Sequence, residues 1–93
     1  MCRIVVPGAL RQFTDGAASV RVEHDDGAAL SVVLDGLAAQ CPALIRRIRD
    51  EQGELRRFVN VYLDGEDARR LDGLATPVAS QAEVLIVPSV AGG

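Results

Sequence analysis

The chain has 93 residues, of which 48% are hydrophobic and 25% charged, and its formal net charge is −3. This length allows one small domain without a second core, and the composition is globular rather than disordered. The acidic balance argues against a nucleic-acid binder, and no signal peptide or run of roughly 20 apolar residues is visible. We therefore expect a soluble, cytoplasmic domain with an aliphatic core, since aromatic residues are only 3%.

A β-hairpin is predicted at the start of the chain. Residues 2–6, "CRIVV", alternate as a strand with one apolar face, and residues 19–23, "SVRVE", do the same through Val20 and Val22. The connection contains Asp15-Gly16, a pair typical of turns.

Two helices are predicted next, and the first runs from an Asp26 cap to Pro42. An apolar stripe at helical spacing marks its inner face: Leu30, Val33, Leu34, Leu37 and Cys41. Gly36 lies inside this helix at a cost of about 1 kcal/mol relative to Ala, and the one visible reason for it is tight packing. A second, short helix is predicted within residues 43–54, with an inner face of Leu44, Ile45 and Ile48.

The remaining predicted elements are strands. Residues 56–67 alternate clearly and lead into an Asp64-Gly65 turn, and residues 83–87 form a last apolar strand. This order predicts an α+β fold of the β-grasp type: a mixed four- to five-stranded sheet packed on one long helix plus a short helix, with the first and last strands parallel at its centre. We expect the domain to span residues 1–87 and a flexible tail to span residues 88–93.

The sequence offers no convincing active site. The single histidine, His24, lies in a loop without a recognisable nucleophile motif, so we expect it to be exposed to solvent. Residues 64–67, "DGED", have the wrong ligand spacing for calcium and fit a β-turn better. Cys2 and Cys41 fit no metal spacing and are interpreted as small buried hydrophobes. The chain is therefore not expected to be an enzyme or to hold a metal.

A basic cluster follows the first helix and allows two interpretations. Its acidic neighbours, Asp50, Glu51 and Glu54, favour a solvated face whose charges neutralise one another. Contact with an acidic partner is the weaker alternative. The arginines concerned are Arg46, Arg47, Arg49, Arg56 and Arg57.

The outward side of the predicted sheet carries apolar side chains. If Val84 and Ile86 face the helix, period-2 alternation turns their neighbours to the opposite side. An exposed apolar patch on a small protein usually marks a partner site. The predicted partner-binding patch is Val5, Phe58, Tyr62, Leu85 and Val87; a covering loop or short helix is the alternative, above all for Phe58.

Four stretches together resemble one protein family. They are "VPGALR" (6–11), "RFVNVYLDGEDAR" (57–69), "GLATPVA" (73–79) and "VLIVPSVAGG" (84–93), which lie at both ends and in the middle, so the resemblance extends over nearly the whole chain. The chain is similar to ubiquitin-like sulfur carrier proteins of the ThiS and MoaD type, most of all to the branch that serves cysteine synthesis. The terminal Gly-Gly after a proline and a last β-grasp strand is the most specific of these signals.

The resemblance implies a particular chemistry for the C-terminus. A MoeB/ThiF-type partner enzyme would use ATP with Mg to adenylate the carboxylate of Gly93, and sulfide or a persulfide would then give a thiocarboxylate. The sulfur acceptor would be a PLP-dependent cysteine synthase or another sulfur-incorporating synthase, with a metalloprotease releasing cysteine. This chain itself would bind no cofactor.

The residue types of the tail suit such a role. Gly92 and Gly93 have no side chain to obstruct entry into a narrow active site, and Pro88 removes a strand donor and stiffens the base of the tail. Threading is assigned to Pro88, Ser89, Val90 and Ala91. Two alternatives remain open: a ubiquitin-like modifier conjugated through Gly93, and a β-grasp interaction module without chemistry.

Overall fold

The computed structural model describes residues 1–88. The predicted hairpin is present as β1 (Cys2–Val5) and β2 (Ser19–Val22), which pair antiparallel. Between them lies an unpredicted 3-10 helix, Gly8–Thr14, and the turn at Asp15 and Gly16 has positive φ angles of 54° and 87°. The Asp-Gly pair suits this turn because both residues tolerate the left-handed region better than most.

Two helices follow, α1 (Leu30–Gln40) and α2 (Pro42–Ile48). The predicted Asp26 cap is wrong, because α1 begins after Ala29 and the Asp26 Oδ1 instead accepts a hydrogen bond of 2.7 Å from the Ser80 backbone N–H. Pro42 separates the helices as expected and occupies the first turn of α2, where its missing N–H costs nothing.

A two-residue strand, β3 (Ala28–Ala29), precedes α1. The second half of the chain supplies four more strands: β4 (Val59–Leu63), β5 (Glu66–Asp67), β6 (Pro77–Val78) and β7 (Glu83–Pro88). Two short 3-10 helices lie between β5 and β7, at Ala68–Arg70 and Gly73–Ala75. The last strand continues one residue further than predicted, because Pro88 pairs with Val59. Residues 89–93 lie outside the described part of the chain.

The main sheet has five strands in the order β2-β1-β7-β4-β5. β1 and β7 are parallel neighbours at the centre, and β4 pairs antiparallel with the other side of β7. This is the predicted β-grasp arrangement. A second, two-stranded sheet was not predicted: β3 (Ala28–Ala29) pairs antiparallel with β6 (Pro77–Val78).

The core lies between α1, α2 and one face of the main sheet. The predicted α1 stripe is buried except for Cys41, which is partly buried against the core. Leu44 and Ile48 of α2 are fully buried, whereas Ile45 is partly buried. The sheet contributes its inward residues to this core: Cys2, Ile4, Val22, Val59, Val61, Leu63, Val84 and Ile86.

The packing of α1 against the sheet explains the glycine at position 36. A Cβ atom built on it would lie 2.7 Å from the Cγ1 of Val22 on β2, closer than side-chain carbons approach one another. The glycine therefore lets α1 approach the sheet closely, and this contact offsets its poor helix propensity.

Candidate functional site

One row of side chains crosses the outer face of the sheet through all five strands. The register pairs Val5 with Ser19 on one side and with Leu85 on the other, and Leu85 pairs in turn with Tyr62. Tyr62 pairs with Asp67 at the far edge. Directly opposed residues on neighbouring strands share a face and contact one another, so three apolar side chains lie together with a polar residue at each end.

The patch continues from this row toward the end of β7. Val87 pairs with Asn60 in the next outward position, and Phe58 immediately precedes β4. Phe58 is 45% exposed, while Val5, Tyr62, Leu85 and Val87 are partly buried and lie outside the hydrophobic core. The structure thus places Val5, Tyr62, Leu85 and Val87 together on the outer face, while Phe58 lies at the entry to β4; that these residues bind a partner remains a prediction.

Polar contacts border the patch at both ends. At one end, Arg3 on β1 forms an ion pair with Glu83 on β7. At the other end, the guanidinium of Arg69 donates to the Asn60 Oδ1 and to the Arg56 carbonyl oxygen, each over 2.8 Å. An apolar centre with a polar rim is the usual organisation of a protein–protein interface. Nothing in the sequence pattern identified Arg69, because its contact depends on the path of the loop after β5.

The tail residues of the predicted site lie outside the described chain, with one exception. Ser89, Val90, Ala91, Gly92 and Gly93 therefore remain predictions. Pro88 is described, and it is partly buried at the end of β7, opposite Val59 on β4. The last described residue therefore lies at the end of the central strand of the sheet.

The basic cluster differs from its prediction. Within residues 1–88, only Arg49 of the five arginines is ion-paired, with 2.8 Å from its Nη1 to the Asp35 Oδ1. The other four arginines are exposed, as the solvated-face interpretation expects, but within residues 1–88 none of them forms an ion pair. The Asp50 Oδ1 instead accepts the backbone N–H groups of Gln52 and Glu54 at 2.9 and 3.0 Å.

These four arginines instead line one cleft of about 920 Å³ beside the end of β7. The cleft lies between the 3-10 helix Gly8–Thr14, α2 and the segment that enters β4. Its floor is apolar and includes Leu10, Ala43 and Val59, and Pro88 belongs to its wall. We call this feature the arginine cleft; sequence reasoning found its charges but did not place them together at this point.

The histidine and the cysteines do not form a catalytic arrangement in the described chain. His24 is half-buried rather than exposed, with its Nδ1 2.7 Å from the Asp25 carbonyl oxygen. Cys2 is buried, and burial raises the pKa of its thiol, which makes it a poor nucleophile. Residues 1–88 contain no cluster of three or more His, Cys, Asp or Glu side chains suited to a metal ion.

No helix within residues 1–88 is both long enough and apolar enough to cross a bilayer.

Comparison with known proteins decides the family. Residues 4–93 match the model of the ThiS family, which leaves out only the first three residues. The chain belongs to the ThiS family. The match includes both terminal glycines, the patch and the arginine cleft, so every candidate site lies within the shared region.

Individual relatives support the same assignment. The chain is 39% identical over 92 residues to "Sulfur carrier protein CysO" of Mycobacterium tuberculosis, covering 97% of this chain and 96% of that protein. It is 37% identical over 78 residues to "Small archaeal modifier protein 3" of Haloferax volcanii, covering 84% of each. The proteins similar to this chain thus include one named as a sulfur carrier and one named as a protein modifier.

The fold agrees with solved structures of the family. A chain in the crystal structure of the Amycolatopsis orientalis BexX/CysO complex has a TM-score of 0.88 and 32% identity, with both chains fully covered. The structural comparison therefore confirms the β-grasp fold, and it includes a carrier crystallised together with a second protein.

Proposed function

We propose that this protein is a sulfur carrier that delivers sulfur as a C-terminal thiocarboxylate on Gly93. The observation that carries the proposal is the match to the ThiS family through residue 93, with CysO among the relatives that cover nearly the whole chain. The chain acts in this proposal as a protein cosubstrate, and the catalysis belongs to its partner enzymes.

The first proposed step is activation of the carboxylate. A MoeB/ThiF-type enzyme binds ATP with Mg, the Gly93 carboxylate attacks the α-phosphorus, and pyrophosphate leaves. The acyl-adenylate then reacts with sulfide or a persulfide at its carbonyl carbon and AMP leaves. With a persulfide as the donor, a thiol must also reduce the resulting acyl disulfide to release the thiocarboxylate.

The described part of the structure supports this division of labour. In the proposal, the patch on the outer face of β1, β4 and β7 docks the body of the carrier, and Pro88, at the end of β7, is the residue from which the tail begins. Docking and threading are then performed by adjacent parts of the molecule. Pro88 stiffens the base of the tail because its ring fixes its own φ angle.

The acceptor in the proposal is a sulfur-incorporating synthase, and a PLP-dependent cysteine synthase is the first candidate because of the similarity to CysO. The thiocarboxylate sulfur bonds to the Cβ of an activated serine derivative while the leaving group on that carbon departs. The acyl group of the resulting thioester shifts from the sulfur to the amine of the new cysteine, which gives an amide at Gly93, and a metalloprotease hydrolyses that amide to release cysteine and restore the Gly93 carboxylate. Cytoplasmic location belongs to the same proposal, since ATP-dependent activation takes place there.

Reconstitution with the activating enzyme of the same genome tests the activation step. We expect ATP–pyrophosphate exchange to require this protein and to be lost when Gly93 is replaced by Val, because a side chain beside the carboxylate obstructs the active site. Gly93→Val should unfold at the same temperature as the wild type, since the hydrophobic core of residues 1–88 extends only from Cys2 to Ile86. Equal exchange with both proteins would contradict the threading argument.

A second function has its own support in the 37% identity to a small archaeal modifier protein. In that case the same Gly93 carboxylate is activated and then joined to lysine side chains of other proteins. Denaturing gels of cells that express a tagged copy distinguish the two functions. Tagged adducts of high mass that disappear in a Gly93 deletion favour the modifier, and their absence together with thiocarboxylate at the C-terminus favours the carrier.

A further inference from the structure

The arginine cleft is a positively charged site that the proposed sulfur chemistry does not use. Its rim carries four arginines and both phenylalanines of the chain: Arg46, Arg47, Arg56, Arg57, Phe13 and Phe58. Arg46, Arg47, Arg56 and Arg57 are all exposed, and none is ion-paired with an acidic residue within residues 1–88. Four clustered positive charges repel one another, so the cleft binds an anion more readily than an ordinary surface of mixed charge.

The one acidic residue of the cleft does not provide that anion. Asp50 lines the cleft, but its Oδ1 accepts two backbone N–H groups within its own turn. A carboxylate engaged in this way is oriented by the turn and offers less to the neighbouring guanidinium groups. The positive charge of the cleft therefore remains available to a ligand.

Two of the guanidinium groups are held over aromatic rings. The Cζ of Arg47 lies 5.0 Å from the centre of the Phe13 ring, and the Cζ of Arg57 lies 5.6 Å from that of Phe58. Cation–π contact through the face of a guanidinium leaves the N–H groups at its edge free to bind a carboxylate by two hydrogen bonds. Positioning these side chains before binding lowers the entropy that a ligand must overcome.

We propose that the arginine cleft binds an acidic segment with an apolar anchor, supplied by an enzyme that acts on the C-terminal carboxylate; this inference rests on the proposed function. Carboxylates match the fork of arginine, and the floor of Leu10, Ala43 and Val59 suits a leucine or phenylalanine of the segment. A nucleic acid fits less well, because the whole chain carries a net charge of −3 and repels a polyanion at longer range.

The position of the cleft indicates which partner the segment belongs to. Val59 and Pro88 pair at the end of β4 and β7, and both line the cleft, so the cleft lies beside the last described residue of the chain. Phe58 precedes β4 and Pro88 ends β7, and both line the cleft, so the cleft lies at the end of the two strands that carry Tyr62, Leu85 and Val87. An enzyme that docks on the patch and receives the chain end therefore also covers the arginine cleft.

Binding of a defined peptide tests the cleft without any enzyme. The probe is a synthetic peptide in which Glu and Asp alternate with Leu, and its control carries Gln and Asn in place of the acids. We expect the peptide to shift amide signals of the ¹⁵N-labelled full chain at residues around the cleft. Arg46→Glu should raise the Kd for the peptide about tenfold, because it replaces an attractive charge pair at the rim by a repulsive one. The matched charge reversal Arg70→Glu, on an exposed residue outside the cleft, should change Kd by less than about twofold.

The activating enzyme supplies the second readout. In Arg46→Glu we expect KM for the carrier to rise about tenfold, kcat to change little, and the difference to shrink at high salt. If the wild type is not activated at all, the proposed function fails, and the peptide titration still decides the cleft. If wild type, Arg46→Glu and Arg70→Glu are activated equally, the cleft proposal is overturned while the sulfur-carrier proposal stands.

Three other results would also overturn the proposal. Equal binding of the amide control peptide would show that charge does not guide recognition. Tighter binding of a single-stranded oligothymidylate, with the same shifts, would make the cleft a nucleic-acid site. Dimerisation of the wild type that Arg46→Glu abolishes would make a second copy of the chain the occupant.

Discussion

The two faces of the main sheet are formed by the same strands but differ in how deeply their side chains are buried. On the inner face, Ile4, Val61, Val84 and Ile86 are fully buried against the helices. On the outer face, their chain neighbours Val5, Tyr62, Leu85 and Val87 are only partly buried. Because side chains alternate along a strand, β1, β4 and β7 stabilise the domain through one set of residues and place a second set, which includes these apolar residues, on the outer face, where we predict that a partner binds.

The largest expected difference in stability is between substitutions of Ile86 and Leu85, which are neighbours on β7 but lie on opposite faces of the sheet. Ile86→Asp should prevent folding, because it places an unpaired carboxylate in the core at a cost of several kcal/mol. Leu85→Asp should stay folded, with a loss of about 1 kcal/mol from the low strand propensity of Asp. Urea unfolding followed by circular dichroism measures both, and an unfolded Leu85→Asp would show that the outer face belongs to the core.

The second prediction tests the outer face as a binding surface. Tyr62→Asp should keep the fold and raise KM for the activating enzyme about tenfold, because a buried interface tolerates an unpaired carboxylate poorly. Val32→Asp is the matched control: Val32 is an apolar residue of α1 that is 53% exposed and lies outside the patch. An equal rise in KM for both variants would mean that the patch has no special part in recognition.

The third prediction concerns the contact between α1 and the inner face. Gly36→Ala should lower the free energy of unfolding by about 1–2 kcal/mol, because crowding against Val22 outweighs the gain in helix propensity. Gly8→Ala is the control, since a Cβ there meets nothing within 4 Å. Thermal unfolding of the two variants measures the difference, and a more stable Gly36→Ala would show that the helix can move away at little cost.

The smallest expected effect separates the two cysteines. Cys41 should react with iodoacetamide faster than Cys2 at neutral pH, because Cys2 is buried on the inner face and burial raises the pKa of its thiol. Peptide mapping after timed alkylation of the native protein measures both rates. Faster alkylation of Cys2 would indicate that β1 opens readily at the sheet centre.

Much of the fold could be predicted from local patterns in the sequence. The alternation in residues 56–67 and 83–87, the stripe from Leu30 to Leu37 and the Asp64-Gly65 turn all recur in the structure. Asp64 and Gly65 have φ angles of 48° and 88°, the pair of positive values that a tight hairpin turn requires. Such signals are reliable because the period of burial and the turn geometry are properties of a few adjacent residues.

Several features that could not be predicted depend on contacts distant in sequence. The cap at Asp26 failed because its carboxylate bonds to Ser80, and the pairing of β3 with β6 joins segments almost 50 residues apart. The arginine cleft was hidden for the same reason, because its lining combines residues of the 3-10 helix Gly8–Thr14, of α2 and of the segment that enters β4. Its charges were visible in the sequence, but their arrangement around one cleft was not.

The chemical state of the C-terminus tests the central claim most directly. Intact-mass spectrometry of the tagged protein, purified from sulfide-fed cells that carry the activating enzyme, should show a species heavier by the exchange of one oxygen for sulfur. Fragmentation should place that sulfur on Gly93, and alkylation should remove the species, while the Gly93→Val variant should lack it. An unchanged C-terminal carboxylate in active cells, with the activating enzyme present and sulfide in excess, would contradict the account.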